Sequence, residues 1–95
     1  MPELDPLIHA PARLQVVTTL SAVSEAEFAT LRAALQVSDS VLSKHISALA
    51  EAGYVRSRKG VQAGRRTTWI ALTSTGRKAL REHVAALRRL IDVVD

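Results

Sequence analysis

The 95-residue sequence contains no cysteine, which excludes disulfides and thiolate metal sites and gives no sign of an oxidising compartment. Aromatic residues are scarce: one Phe, one Trp and one Tyr are too few for a surface that binds by stacking successive bases. No apolar run approaches the length of a membrane span, and the N-terminus lacks the basic and apolar regions of a signal peptide. A cytoplasmic protein with no membrane partner is therefore expected. Paired carboxylates, a nucleophile beside a base and a phosphate-cradling glycine loop are all missing. His9, His45 and His83 lie far apart, in no metal-ligand spacing. The expectation is a chain that is not an enzyme and needs neither metal nor cofactor.

What is present is an ordinary apolar content, 47%, enough for one domain over 1–95 with a modest core. The charge is lopsided. Residues 1–39 carry two cations against five acids, a net of −3, whereas residues 40–95 hold eleven Lys/Arg against four acids, a net of +7. A one-sided basic surface is the footprint of a polyanionic partner.

The most informative stretch is Ser38–Gly53. Ser38 or Asp39 suits a helix N-cap, Gly53 suits the left-handed position that closes a helix, and Leu42, Ile46 and Leu49 recur at helical spacing as an apolar stripe. The opposite face carries Ser40, Ser43, Lys44 and Ser47. Serine is a mediocre helix former, because its hydroxyl competes for backbone hydrogen bonds. Such a face is either a surface built to approach something closely, a DNA groove being the natural candidate, or a solvated face that happens to be serine-rich. His45, beside Lys44, either shares that surface or borders the core.

Upstream, Pro2, Pro6 and Pro11 prevent one continuous helix over residues 1–11, where Leu4, Leu7 and Ile8 are apolar enough to pack as a short turn. From Ala12 the pattern turns helical, with Leu14, Val17 and Leu20 on one face. Ser24 and Glu27 have the spacing of a capping box, predicting a second helix from Ser24 whose apolar face is Phe28, Leu31 and Leu35. Two short helices joined by about three residues form a helix-turn-helix. Downstream, residues 54–59 alternate like a strand, Gly60–Gly64 reads as a turn bracketed by glycines, and Arg65–Leu72 is rich in β-formers. The resulting hairpin would carry Arg58, Lys59, Arg65 and Arg66 at its tip. With Arg56, they give residues 54–68 five cations and no acid. A basic cluster of this kind binds phosphates or merely solvates the surface. Trp69 is expected in the core or as hinge packing between the hairpin and the last helix, not as a stacking platform.

Thr73–Gly76 caps that last helix. Along it Leu80, Val84, Leu87, Ile91 and Val94 repeat at steps of four and three, an a/d seam longer than a small core needs. The seam either wraps the domain or meets a second copy. The second reading makes the chain a homodimer, with the N-terminal segment 1–20, including Leu7 and Leu14, and the C-terminal helix 74–94, including Leu80, Val84, Leu87 and Ile91, forming the interface.

The order helix, helix-turn-helix, basic hairpin, long helix resembles the winged-helix transcriptional regulators, in particular the MarR- and ArsR-like groups and their short stand-alone relatives. The resemblance covers about residues 10–94. Val37–Val55 looks like the family's recognition helix running into its Gly-hydrophobic-Val strand. Gly64–Arg77 looks like its wing strand followed by the Leu-Thr-x-x-Gly-Arg helix start. The resemblance implies a mainly α fold with a small β-hairpin: a three-helix core, a β wing and a long C-terminal helix. It also implies a sequence-specific regulator of double-stranded DNA. Ser38, Asp39, Ser40, Ser43, Lys44, His45 and Ser47 would meet the major groove, and Arg56, Arg58, Lys59, Arg65 and Arg66 the phosphates or the minor groove. Two departures matter. Metal sensing through cysteine ligands is excluded, and the chain is shorter than full MarR proteins, whose additional helices build a ligand cleft. The competing reading is a winged helix used as a protein-interaction module, its basic wing meeting an acidic partner.

Overall fold

The computed structural model describes residues 3–94; Pro2 and the outermost ends of the domain expected over 1–95 lie outside the described residues. The elements run α1 (Pro6–His9), α2 (Pro11–Ser21), β1 (Ala26–Glu27), α3 (Phe28–Leu35), α4 (Asp39–Glu51), β2 (Val55–Gln62), β3 (Arg65–Leu72) and α5 (Ser74–Val94). The three strands form one antiparallel sheet in the order β1-β3-β2. This is the mainly α architecture with a small sheet that the sequence led us to expect: α2, α3 and α4 as a three-helix core, a β wing and a long last helix.

Pro11 sits in the first turn of α2, where its missing N–H is an orphan anyway. Val16, Val17 and Leu20 of α2, Leu31 of α3 and Leu42, Ile46 and Leu49 of α4 converge on Val55, Ile70 and Leu72 at the base of the hairpin, with Leu80 of α5 completing the cluster. Ile8 of α1 is fully buried, so the short proline-flanked turn belongs to the core. The Thr73 hydroxyl donates to the Gly53 carbonyl at 2.6 Å and accepts from the Gly76 amide at 3.0 Å, capping α5 while tying its start to the end of α4. Gly76 is buried against the Tyr54 carbonyl, leaving no room for a side chain.

Three expectations are corrected. Ser24 does not begin a helix: Ala26 and Glu27 pair with Ile70 and Trp69 as the edge strand β1, and α3 starts at Phe28. The Glu27 carboxylate accepts from the Thr67 hydroxyl at 2.8 Å instead of closing a capping box. The hairpin turn is also shorter than two bracketing glycines suggest. Gln62 pairs with Arg65, leaving a two-residue turn in which Ala63 and Gly64 have φ of 53° and 77°. Positive φ at both positions is the type I′ geometry that matches strand twist. Gly60 lies inside β2, where a Cβ would come within 3.3 Å of the Trp69 ring. The Trp69 ring is thus accommodated within the sheet, over glycine and beside Arg58, whose guanidinium sits 5.4 Å from the ring centroid.

A polar joint fixes the N-terminal segment. Asp5 Oδ1 accepts from the Leu7 and Ile8 amides at 2.9 and 3.3 Å, capping α1. Its Oδ2 accepts from the Tyr54 hydroxyl at 2.6 Å, and its backbone N–H donates to His83 Nδ1 at 2.9 Å. Burial alone would raise the Asp5 carboxyl, but the hydrogen bonds from Tyr54, Leu7 and Ile8 outweigh it and hold the group below its usual value. The same Asp5 bond raises the Tyr54 phenol to about 12. His83 is fully buried, and burial lowers its pKa.

Candidate nucleic-acid interface

The Ser38 hydroxyl accepts from the Val41 amide at 3.2 Å, so Ser38 is the N-cap of α4. Gly53, with φ of 78°, closes the helix: its N–H donates to the Ala50 carbonyl, and that of Tyr54 to Leu49, the paired bonds of a Schellman motif. The inner stripe Leu42, Ile46 and Leu49 is buried, and Ser40, Ser43, Lys44 and Ser47 are exposed. The result is a helix capped at both ends, with an exposed face of small hydroxyls around one ammonium group.

At its N-terminal end Asp39 forms a 3.0 Å ion pair with Arg32 of α3. Exposed as it is, the pair adds little stability. Its electrostatic effect matters more, because the guanidinium offsets a carboxylate that would repel phosphate. Arg32 was not among the residues the sequence suggested, since nothing local places it beside Asp39. The α3–α4 turn does so: Gln36 takes a left-handed conformation, φ 57°, and reverses the chain between the two helices. His45 is half-buried, with Nδ1 3.4 Å from Arg13 Nη1, on the side of α4 that faces the N-terminal segment.

The wing cations do not form one cluster. Residues directly opposite in the ladder share a face, and successive residues alternate. Arg56, Arg58 and Arg65 therefore occupy one face of the hairpin, and Lys59 and Arg66 the other. Arg65 and Arg66 directly follow the turn, whereas Arg58 sits well back from it, opposite Trp69. Glu25 engages Arg58 through both carboxylate oxygens, one contact being Arg58 Nε to Glu25 Oε2 at 2.9 Å. That bond holds the Glu25 carboxyl below its ordinary range. Arg58 is thus already neutralised within the domain, and Arg56, Lys59, Arg65 and Arg66 are the wing cations turned to solvent.

The residues suggested as a dimer face divide differently. Leu80 is 8% exposed and belongs to the domain's own core, against which Leu7, Leu14 and Val84 also pack. Leu87 is half-buried, and beyond it Leu90, Ile91, Val93 and Val94 are exposed.

A capped helix-turn-helix whose second helix presents a bare polar face, followed by a basic two-stranded wing, defines a winged-helix DNA-binding domain. The family model described as a winged helix DNA-binding domain matches residues 12–91, and the chain belongs to that family. It is a winged-helix transcription regulator and not an enzyme. An uncharacterized protein of Methanocaldococcus jannaschii is 29% identical over 84 residues, covering 88% of this chain and 91% of its own length. The transcriptional regulator homologue of Pyrococcus horikoshii superposes with a TM-score of 0.87 at 27% identity, over 94% of this chain and 88% of that one. The PcaV transcriptional regulator of Streptomyces coelicolor, solved with its natural ligand, shares the fold with a TM-score of 0.78 at 21% identity, over 96% of this chain and 63% of its own. Among the described residues no helix is long and apolar enough to cross a membrane.

Proposed function

We propose that the chain is a cytoplasmic, homodimeric regulator that reads a specific site on double-stranded DNA. In this reading residues 1–95 act as one winged-helix domain, α4 enters the major groove and the wing neutralises phosphates. The observation that carries it is the exposed face of α4, where Ser40, Ser43, Lys44 and Ser47 let the backbone come close to base edges while Leu42, Ile46 and Leu49 anchor the helix from behind. Ser38 and Asp39 lie at the helix end nearest the groove floor, and His45 flanks it. Hydroxyls discriminate bases weakly, so much of the affinity is electrostatic.

Lys44→Ala tests the reading head. Lys44 lies off the buried stripe and alanine is the better helix former, so the fold is unaffected. Loss of a base contact lowers binding to a selected site by about 1–3 kcal/mol. Binding is measured on the selected duplex and on a scrambled one at a single salt concentration. Loss on the selected site alone marks a base contact, and equal loss on both marks a phosphate contact. Wild-type affinity on both would remove α4 as the reading element and favour an interaction module whose wing meets an acidic protein.

The dimer is supported by the apolar end of α5, where Leu90, Ile91, Val93 and Val94 are left exposed among the described residues. The interface would run along Val84, Leu87 and Ile91, with Leu80 at its inner margin and the N-terminal segment through Leu7 and Leu14 beside it. Burying one leucine contributes on the order of 2 kcal/mol. Leu87→Glu removes that contribution and places a charge in the interface, so sedimentation at micromolar concentration should show a dimer for the wild type and a monomer for the variant. A wild-type monomer would end the dimer proposal.

A further inference from the structure

Resting on the DNA-binding reading above, we infer that Val41 is a specificity residue of α4 and that it reads the C5-methyl group of a thymine in the major groove. Among the described residues of α2, α3 and α4, Val41 is the only large apolar side chain left exposed, at 41%. Leu42, Ile46 and Leu49 already fill the inner stripe, and Val41 lies about 100° round the helix from Leu42, so the core does not need it. Its position is also held firmly. The Val41 amide is the one that the Ser38 hydroxyl caps, and a β-branched side chain in a helix has one strongly preferred rotamer.

Val41 lies along the rim of the face already described, one turn before Lys44 and two before Ala48, while Ser40 adjoins it. The chemistry is complementary. Serine hydroxyls donate and accept alike and so distinguish bases weakly, whereas an apolar group packs on the one apolar feature of the major groove, the thymine methyl. A valine there adds information that the surrounding hydroxyls cannot. The basic balance of the wing and of Lys44 directs the same surface toward a polyanion.

The test uses the full chain and a duplex selected from a random library. Each thymine of the half-site is replaced in turn by deoxyuridine, which removes only the methyl and keeps every groove hydrogen-bonding group. For the wild type, one such replacement in a single half-site should weaken binding by about three- to tenfold, the worth of roughly one buried methyl group. Val41→Ala should bind the thymine duplex about as weakly as the wild type binds the duplex replaced in both half-sites, and should no longer distinguish the two. Equal melting of the two proteins checks the fold. A wild type indifferent to every replacement overturns the inference, as does a Val41→Ala variant that still senses the same methyl. So does a selected half-site without thymine. In all three cases the DNA-binding reading survives. A wild type that binds no duplex ends both.

Discussion

Replacing Arg65 and Arg66 together by glutamate should lower affinity for every duplex, selected or scrambled, by a similar factor, and should flatten its salt dependence. Both side chains are exposed and directly follow the type I′ turn at the end of the wing. They face opposite sides of the hairpin, so the end of the wing can straddle a groove edge and bring both guanidinium groups to phosphates at once. A phosphate contact releases condensed counterions and contributes about 0.9 to the slope of log affinity against log salt. Two contacts per protomer are four per dimer, so the slope should fall by between about three and four. At 0.1 M salt each such contact is worth about eightfold, and the double variant, losing four per dimer, should lose on the order of several thousandfold. Titrations across a salt series read both numbers. An unchanged slope would mean that the tip points away from DNA and that Arg56 and Lys59 carry the backbone contacts.

Gly76→Ala should be the most damaging small substitution in the domain. A Cβ at this position would lie 2.1 Å from the Tyr54 carbonyl oxygen and 2.7 Å from Leu72 Cδ1. The nearest atom is backbone, and that carbonyl already accepts the Thr73 amide at 2.9 Å, so it cannot yield without opening the junction between α4 and α5. Alanine gains up to about 1 kcal/mol in helix propensity over glycine. Overpacking against a fixed neighbour costs about 3 kcal/mol or more. A net loss of at least about 2 kcal/mol lowers the melting temperature of a domain this size by about 8–16 °C. Thermal melts of the two proteins decide the matter. Equal melting temperatures would show that α5 does not start against Tyr54.

Local signals carried much of this fold. Ser38, Gly53 and the Leu42–Ile46–Leu49 stripe each act within one helix, so α4 was legible almost to the residue. Arg65–Leu72 was legible as a strand for the same reason. What failed was decided at a distance. The Ser24–Glu27 spacing is a sound capping signature, but pairing with Ile70 and Trp69 claims Ala26 and Glu27 for the sheet, and that partner lies more than forty positions away. Gly60 looked like a turn because glycine usually marks one; its place in β2 follows from Trp69 across the ladder, which needs the space a side chain would fill. The site divides in the same way. The serine face of α4 is visible in the sequence, whereas the pairing of Arg32 with Asp39 and the withdrawal of Arg58 by Glu25 depend on which elements meet. The exposure of Val41 depends on how α4 packs, and a polar face draws no notice to the apolar residue at its rim. The signal available was an apolar residue off the stripe.

The Asp5 joint bears on how the domain acquires its shape. Its bond to His83 spans 78 positions and its bond to Tyr54 spans 49, whereas the helices and the hairpin close over a few residues each. Loop closure costs entropy that grows with separation, and contacts of such range reward the chain only after intervening segments have found each other. The joint therefore belongs to the end of folding. Once made, it fastens the start of the chain to its last helix and to the residue that follows the recognition helix. The three segments are thereby held at one point, and α1 is a clasp on the domain instead of a tail lying upon it.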